Sequence, residues 1–146
     1  MENLEPSVVW KFFGEITQIP RPSKKEEKIR NYLLGVARQY GLEAKTDKAG
    51  NVLICKPATI GYENHKKIIL QSHMDMVCEK DGDVQHNFDS DPIQTFIDGD
   101  WIKAEGTTLG ADNGIGMAMM LAVLTSDNIS HPALECLFTV DEETGL

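Results

Sequence analysis

The sequence has 146 residues, enough for one domain with its own hydrophobic core. Asp and Glu outnumber Lys and Arg by 23 to 14, and the net charge of −9 argues against nucleic acid and anionic membranes as partners. The odd number of cysteines, Cys55, Cys78 and Cys136, without metal-binding spacing, favours a reducing, cytoplasmic setting. Neither a signal peptide nor an apolar run of membrane-spanning length is visible, so we expect no export and no membrane insertion.

Two amphipathic helices are predicted at the start of the chain. Apolar residues between Val9 and Ile16 follow the i, i+3, i+4, i+7 spacing of one helical stripe. Ser23 stands three residues before Glu26, which is the spacing of a capping box at the start of a second helix. The apolar face of that helix continues to Tyr40, and Gly41 ends it.

The remainder of the chain alternates short strands with one long helix. Strands are predicted over 42–46, 51–56, 67–70 and 134–140, and a helix buried on most sides over 114–124. Asp98-Gly99-Asp100 is predicted to form a hairpin turn, because Asp and Gly tolerate the positive φ that such turns need. The polar stretch 79–92 is predicted to be a surface loop. The pattern indicates an α/β fold in which helices pack on a mixed sheet.

A strand that turns polar at its end carries the first candidate site residues, His73 and Asp75. Because side chains alternate along a strand, these two residues would share one face. One imidazole nitrogen could then bind a metal ion while the other donates to the aspartate, which fixes the direction of the ring. A histidine two residues from an aspartate is also common outside functional sites, and this motif alone leaves that alternative open.

A glycine-rich turn from Gly106 to Gly116 opens the third predicted helix. Such turns can bind phosphate, but Asp112 would repel it, and the spacing is neither that of a P-loop nor that of a dinucleotide-binding turn. A carboxylate beside a buried helix needs a partner, and a metal cation could use the close backbone approach that glycines allow. Capping of the helix by Asp112 or Asn113 is the alternative, and it stays open.

The last motif is Asp141-Glu142-Glu143, which follows the apolar strand 134–140. Adjacent carboxylates that leave a hydrophobic strand are costly unless cations or solvent surround them. One could bind a metal ion, and the other could act as a general base above a metal-activated water. The alternative for this triplet is a solvated turn.

The order of these motifs, His-x-Asp, Gly-Ala-Asp-Asn-Gly and then Glu-Glu after a strand, resembles the dinuclear zinc peptidases that include carnosinases and aminoacylases. Longer runs carry the same resemblance: Ile19–Ser23 with Glu26-Glu27, Lys56–Thr59, Gln71–Val77, Asp91–Gln94 and Gly106–Ala118. The resemblance covers essentially the whole chain. It implies a zinc-peptidase-like catalytic domain.

The resemblance also implies a role for each candidate residue. His73 would bind one zinc, Asp112 would bridge two zincs, and Glu143 would bind the other. Asp75 would orient His73, and Glu142 would be the general base. The implied cofactors are two divalent metal ions, Zn²⁺ first, with Co²⁺ or Mn²⁺ compatible with the same ligands.

The implied metal site is incomplete. If each zinc takes about three protein ligands, two zincs need about six contacts. Asp112 would supply two of these contacts, and His73 and Glu143 one each. The other histidines are predicted to be surface residues: His65, His86 and His131. We therefore predict that residues 1–146 are the N-terminal part of the catalytic domain of a larger enzyme and are inactive by themselves. The resemblance further implies a lid or dimerisation domain elsewhere in that enzyme.

The implied activity is hydrolysis of dipeptides, with histidine as the second residue, by a zinc-activated water in a bacterial, homodimeric enzyme. A small peptide would be the substrate partner. Two alternatives remain: a related deacylase or tripeptidase, and a non-catalytic binding module with the same fold. Metal content of the full-length protein would separate the enzyme from the binding module.

Overall fold

The structure is a computed structural model, and it describes residues 4–145. The chain forms three helices and six strands in this range. The helices are α1 (Ser7–Thr17), α2 (Glu27–Gln39) and α3 (Ala111–Thr125). The strands are β1 (Glu43–Thr46), β2 (Val52–Lys56), β3 (Ile68–His73), β4 (Thr95–Asp98), β5 (Trp101–Ala104) and β6 (Leu134–Thr139). Residues 1–3, part of the sequence argument against export, and Leu146 lie outside the described range. The predicted α/β fold class is confirmed.

Four of the strands form one mixed sheet in the order β1-β2-β6-β3. β2 pairs antiparallel with both β1 and β6, whereas β3 runs parallel to β6. The parallel register places His73 opposite Thr139, so that both strands end at the same edge of the sheet. β4 and β5 form a separate antiparallel hairpin around Gly99 and Asp100, at the predicted turn.

The hydrophobic core lies between the helices and the sheet. α1 packs against α3, α3 against β3, and α2 against β1 and β2. Leu33 of α2, Ile54 of β2 and Leu121 of α3 are fully buried. Burial of each such side chain stabilises the folded state by roughly 1.5–3 kcal/mol. The apolar faces of the helices and the sheet therefore hold the layers together. Within residues 4–145, no helix has the length and apolar character of a membrane span.

The predicted capping box at the start of α2 is wrong. α2 begins at Glu27 with Glu26 as its N-cap, so Ser23 lies too far ahead of the helix to reach its first N–H groups. Ser23 instead donates its hydroxyl to Asp75 Oδ2 at 2.7 Å. Glu26 Oε1 accepts the backbone N–H groups of Lys24 and Asp141. Both residues therefore serve the edge of the sheet where β3 and β6 end.

Candidate active site

The candidate site lies at the sheet edge where the parallel strands β3 and β6 end. His73 is the last residue of β3, and Asp75 follows it by two positions. Glu142 and Glu143 follow β6 in the same way. Carboxyl ends of parallel strands meet at one edge, which explains how motifs about 70 residues apart come together.

His73 is nearly buried, with a side-chain exposure of 7%. Its Nδ1 lies 3.0 Å from the Asp75 carbonyl oxygen and 3.4 Å from Asp75 Oδ1. Its Nε2 lies 3.0 Å from Asp112 Oδ1. When Nδ1–H donates to Asp75, the Nε2 lone pair faces a carboxylate oxygen. Two acceptors this close need a proton or a metal cation between them.

The buried Asp75 carboxylate holds the turn that follows β6. Oδ1 accepts the Glu142 N–H at 3.1 Å, and Oδ2 accepts the Glu143 N–H at 3.0 Å. Burial acts to raise the pKa of Asp75, but hydrogen bonds from the Glu143 N–H, the Ser23 hydroxyl and the Glu142 N–H outweigh it, and the pKa is lowered. Asp75 is therefore ionised, and it fixes the two glutamates as well as His73.

Asp112 does not cap α3. Among residues 4–145, no side chain makes a capping hydrogen bond at the start of this helix, and its N-cap is Gly110 in the left-handed region at φ 70°. Asp112 and Asn113 have non-helical backbone angles and are joined by a cis peptide bond. The Asp112 side chain is 86% exposed and contacts His73. The capping alternative is therefore wrong for Asp112.

Glu142 and Glu143 differ in their surroundings. Glu142 is exposed, and its Oε2 lies 3.9 Å from His73 Nε2. Glu143 is half-buried, and burial together with the nearby Asp112 and Glu142 raises its pKa against the opposing effect of His73. Glu143 has a carboxylate oxygen within 4.8 Å of ligand atoms of both His73 and Asp112.

His73, Asp112 and Glu143 form a group that could hold a metal ion. Each offers one ligand atom, and these atoms lie within 4.8 Å of one another. Two ligands about 2.1 Å from one tetrahedral zinc lie about 3.4 Å from each other, so small movements would bring this group to a common ion. An imidazole with carboxylates suits zinc, cobalt or manganese. The residues therefore fit a divalent metal ion.

Arg21 bonds to the backbone next to the site residues, and the sequence did not predict it as a site residue. It is 1% exposed, and its guanidinium donates to the carbonyls of Met74, Asp75 and Gly110. A Cβ at Gly110 would lie 2.5 Å from Arg21 Nη2, so the close approach that this glycine permits is used by a guanidinium. Burial lowers the pKa of Arg21 to about 10 against the opposing charges of Cys78, Asp75, Glu143 and Asp112, and the side chain stays charged at neutral pH.

Side chains from three separate loops hold the backbone that follows β6. Asn51 Oδ1 accepts the Val140 N–H, Glu26 Oε1 accepts the Asp141 N–H, and Asp75 accepts the next two. Asp141 itself adopts φ 56°. The Glu142-Glu143 pair is thus presented by a turn that hydrogen bonds from distant residues define, and it is not a freely solvated turn.

The remaining histidines differ from their prediction in one case. His65 is exposed and His86 is half-buried. His131 is buried, with 5% exposure, because its backbone N–H and carbonyl bond to Thr59 and its Nδ1 bonds to the Pro132 carbonyl. The prediction of His131 as a surface residue was wrong, because the polar sequence around it gives no sign of its contact with the distant Thr59.

No protein-family model matches the chain. Over its whole length the chain is 51% identical to the cytosol non-specific dipeptidase of Escherichia coli K12. The chain is therefore similar over its whole length to part of a bacterial dipeptidase. The crystal structure of aminoacylhistidine dipeptidase from Vibrio alginolyticus matches 99% of the chain with a TM-score of 0.96 and 52% identity. A tripeptidase from Staphylococcus aureus Mu50 matches 97% of it with a TM-score of 0.77 and 27% identity.

The chain spans much less than the length of these relatives. It covers 30% of the Escherichia coli dipeptidase, 29% of the Vibrio alginolyticus structure and 38% of the tripeptidase structure. The resemblance to peptidases that the motifs indicated is confirmed over the whole chain.

Proposed function

We propose that the full-length protein is a metal-dependent dipeptidase. The observation that supports this most is the group formed by His73, Asp112 and Glu143, whose ligand atoms lie within 4.8 Å of one another. It occurs in a chain that is 51% identical to a dipeptidase over all its residues. A fold alone does not imply an activity, but a donor set suited to a divalent ion at the sheet edge supports a hydrolytic one.

Each proposed role follows the contacts around the site. His73 Nε2 and Glu143 would each bind a metal ion, and the exposed Asp112 would bridge two ions, for which Zn²⁺ is our first choice. Asp75 would keep His73 oriented through Nδ1, as the distances of 3.0 and 3.4 Å to its carbonyl and carboxylate oxygens support. When bound, a divalent metal ion would polarise the attacking water and the scissile carbonyl.

Glu142 is our proposed general base. Its side chain is exposed and reaches within 3.9 Å of His73 Nε2, while its backbone N–H is fixed by Asp75 at 3.1 Å. A carboxylate held this way would take the proton of the attacking water and then give it to the leaving amine. Glu143 is the poorer candidate, because it already belongs to the donor group with His73 and Asp112.

We further propose that residues 1–146 are the N-terminal part of the catalytic domain. The group described above supplies about four of the roughly six contacts that two zinc ions need. The remaining ligands and a lid or dimerisation domain would lie in the part of the protein beyond these residues, and the full-length protein would be a cytoplasmic homodimer. Gel filtration of that protein would test the dimer.

The proposal is tested by zinc analysis and dipeptide hydrolysis in the full-length protein. We expect bound zinc, turnover that a chelator removes and zinc restores, and no turnover by residues 1–146 alone. Glu142→Ala should lose turnover and retain zinc, whereas Glu143→Ala should lose zinc. Glu63→Ala, an exposed control far from the sheet edge, should behave as wild type. A metal-free full-length protein would favour the non-catalytic binding module.

A tripeptidase is the second candidate, favoured by the structural match to the tripeptidase from Staphylococcus aureus. The TM-score of 0.77 is lower than the 0.96 of the match to the aminoacylhistidine dipeptidase, which is why we place it second. Comparing kcat/KM for β-Ala-His, Ala-His, Ala-Leu and Ala-Ala-Ala would separate the two. A preference for the tripeptide would overturn the dipeptidase proposal, and equal kcat/KM values for the dipeptides would overturn the histidine preference that the resemblance implies.

A further inference from the structure

The buried guanidinium of Arg21 joins the two segments that carry His73 and Asp112. Nη1 donates to the Met74 and Asp75 carbonyls, both at 3.0 Å, and Nη2 donates to the Gly110 carbonyl at 2.5 Å. The first two carbonyls follow His73 directly in sequence, and the third precedes Asp112 by two residues. A single planar group therefore bonds to both segments.

One of these bonds involves Asp75, the hydrogen-bond partner of His73. The Asp75 carbonyl that accepts Arg21 Nη1 is also the oxygen 3.0 Å from His73 Nδ1. A carbonyl has two acceptor directions, so this oxygen can accept from both the guanidinium and the imidazole. Moving Arg21 would thus move the group that sets the orientation of the His73 ring.

Two glycines make room for this guanidinium. A Cβ at Gly110 would lie 2.5 Å from Arg21 Nη2, and a Cβ at Gly114 would lie 2.8 Å from the same atom and 3.2 Å from Phe13. Any side chain larger than hydrogen at these positions would push the guanidinium away from its carbonyls. Because Arg21 is 1% exposed, it has no room to move aside without breaking those bonds.

We propose that Arg21 is a positioning residue that sets the separation between His73 Nε2 and Asp112 Oδ1, and thereby the metal affinity of the site. This inference rests on the proposed function for its link to metal binding. It does not require Arg21 to touch metal or substrate. A lysine at this position would keep the charge but could not bond in one plane to carbonyls on both segments.

The test compares variants of the full-length protein by Co²⁺ affinity, Co²⁺ absorption spectrum and thermal unfolding. R21K should lower Co²⁺ affinity about tenfold or more and alter the spectrum, as loss of groups that orient ligands does. R30K is the matched control, because Arg30 is a half-buried arginine of α2 beside Gly50, and it should leave affinity and spectrum unchanged. A folded R21K protein with wild-type affinity and spectrum would overturn the inference.

G114A provides a second test if R21K does not fold. Gly114 has no positive φ, so alanine suits its helical backbone and favours the helix. We expect G114A to displace Arg21 and lower Co²⁺ affinity, and to lower the melting temperature because buried hydrogen bonds of the guanidinium are lost. G35A is the control, since no described atom lies within 4 Å of a Cβ there and the site is remote. Wild-type affinity in G114A would overturn the inference.

The two proposals can fail separately. A wild-type protein that binds no Co²⁺ or Zn²⁺ would overturn the proposed function. The separation of His73 Nε2 and Asp112 Oδ1 in a crystal structure of G114A or R21K would then decide the inference. An increase from 3.0 Å in the variant over wild type would support it, and an unchanged distance would overturn it.

Discussion

Asp75 Oδ2 accepts a hydrogen bond from the backbone N–H of Glu143 at 3.0 Å, across 68 positions of the sequence. Asp75 also accepts the Glu142 N–H and lies against His73 Nδ1. One fully buried carboxylate therefore determines the placement of side chains on two parallel strands. The arrangement predicts that a change at Asp75 affects the β6 turn as well as the histidine.

Asp75→Asn replaces one carboxylate oxygen with an NH₂ group, which accepts no hydrogen bond. The remaining oxygen cannot accept all three bonds that Asp75 now accepts from the Glu142 N–H, the Glu143 N–H and the Ser23 hydroxyl. We expect a loss of about 10–100-fold in kcat or zinc affinity in the full-length protein, and a loss of about 1–3 kcal/mol in the free energy of unfolding. Steady-state kinetics and urea titration would measure both.

Asp98→Asn is the control for that experiment. Asp98 is exposed on the β4-β5 hairpin, where it pairs with Lys103 at the surface. Exposed ion pairs contribute about 0–1 kcal/mol, so this variant should be nearly wild type. An Asp75→Asn protein as active and stable as Asp98→Asn would contradict the role given to Asp75.

Glu26→Ala should destabilise the protein although Glu26 lies outside the metal-binding group. The buried carboxylate accepts the N–H groups of Lys24 and Asp141, and its removal leaves those donors without this acceptor. The expected cost is about 1–3 kcal/mol in the free energy of unfolding. Glu27→Ala, the exposed neighbour on the same helix, should change it by less than about 0.5 kcal/mol. Equal stabilities of the two variants would contradict this prediction.

Much of the fold follows from local patterns. The apolar stripes of α1 and α2, the alternation in β2 and the Asp98-Gly99-Asp100 turn lie where simple periodicity and turn chemistry predict them. The site follows from a similar argument, because His73 and the two glutamates come at ends of strands that proved to be parallel neighbours. Periodicity and strand ends are local signals, and they predict the folded elements correctly when the hydrophobic pattern is strong.

The supporting residues could not be predicted, because their partners are distant in sequence. Ser23 and Glu26 have the spacing of a capping box, yet their side chains bond to Asp75 and to the Asp141 backbone. Arg21 between two prolines gives no signal of burial, and its bonds span 53 to 89 positions. Local rules assigned these polar groups local partners, whereas tertiary structure supplied better ones.

Leu121→Ala should remove a large part of the stability of the domain. Leu121 is fully buried on α3, the helix that carries Asp112 at its start. Leucine-to-alanine changes in a core cost about 2–5 kcal/mol, depending on how far the cavity collapses. Met119→Ala on the same helix, with 55% exposure, should cost less than about 0.5 kcal/mol. A small effect of Leu121→Ala in chemical denaturation would show that the core repacks around the cavity.

Cys136 should resist thiol reagents in the native protein, because burial raises its pKa to about 12 and excludes solvent. The thiol ionises near pH 9 when unfolded, so the unfolded state loses its proton first as the pH rises. The contribution of the protonated Cys136 thiol to the free energy of unfolding is therefore complete below pH 9 and is lost between pH 9 and 12. Ellman's reagent at pH 8 should modify the half-buried Cys55 and Cys78 well before Cys136. Cys136→Ala should reduce the loss of stability over the alkaline range, and an unchanged alkaline profile would contradict the assignment.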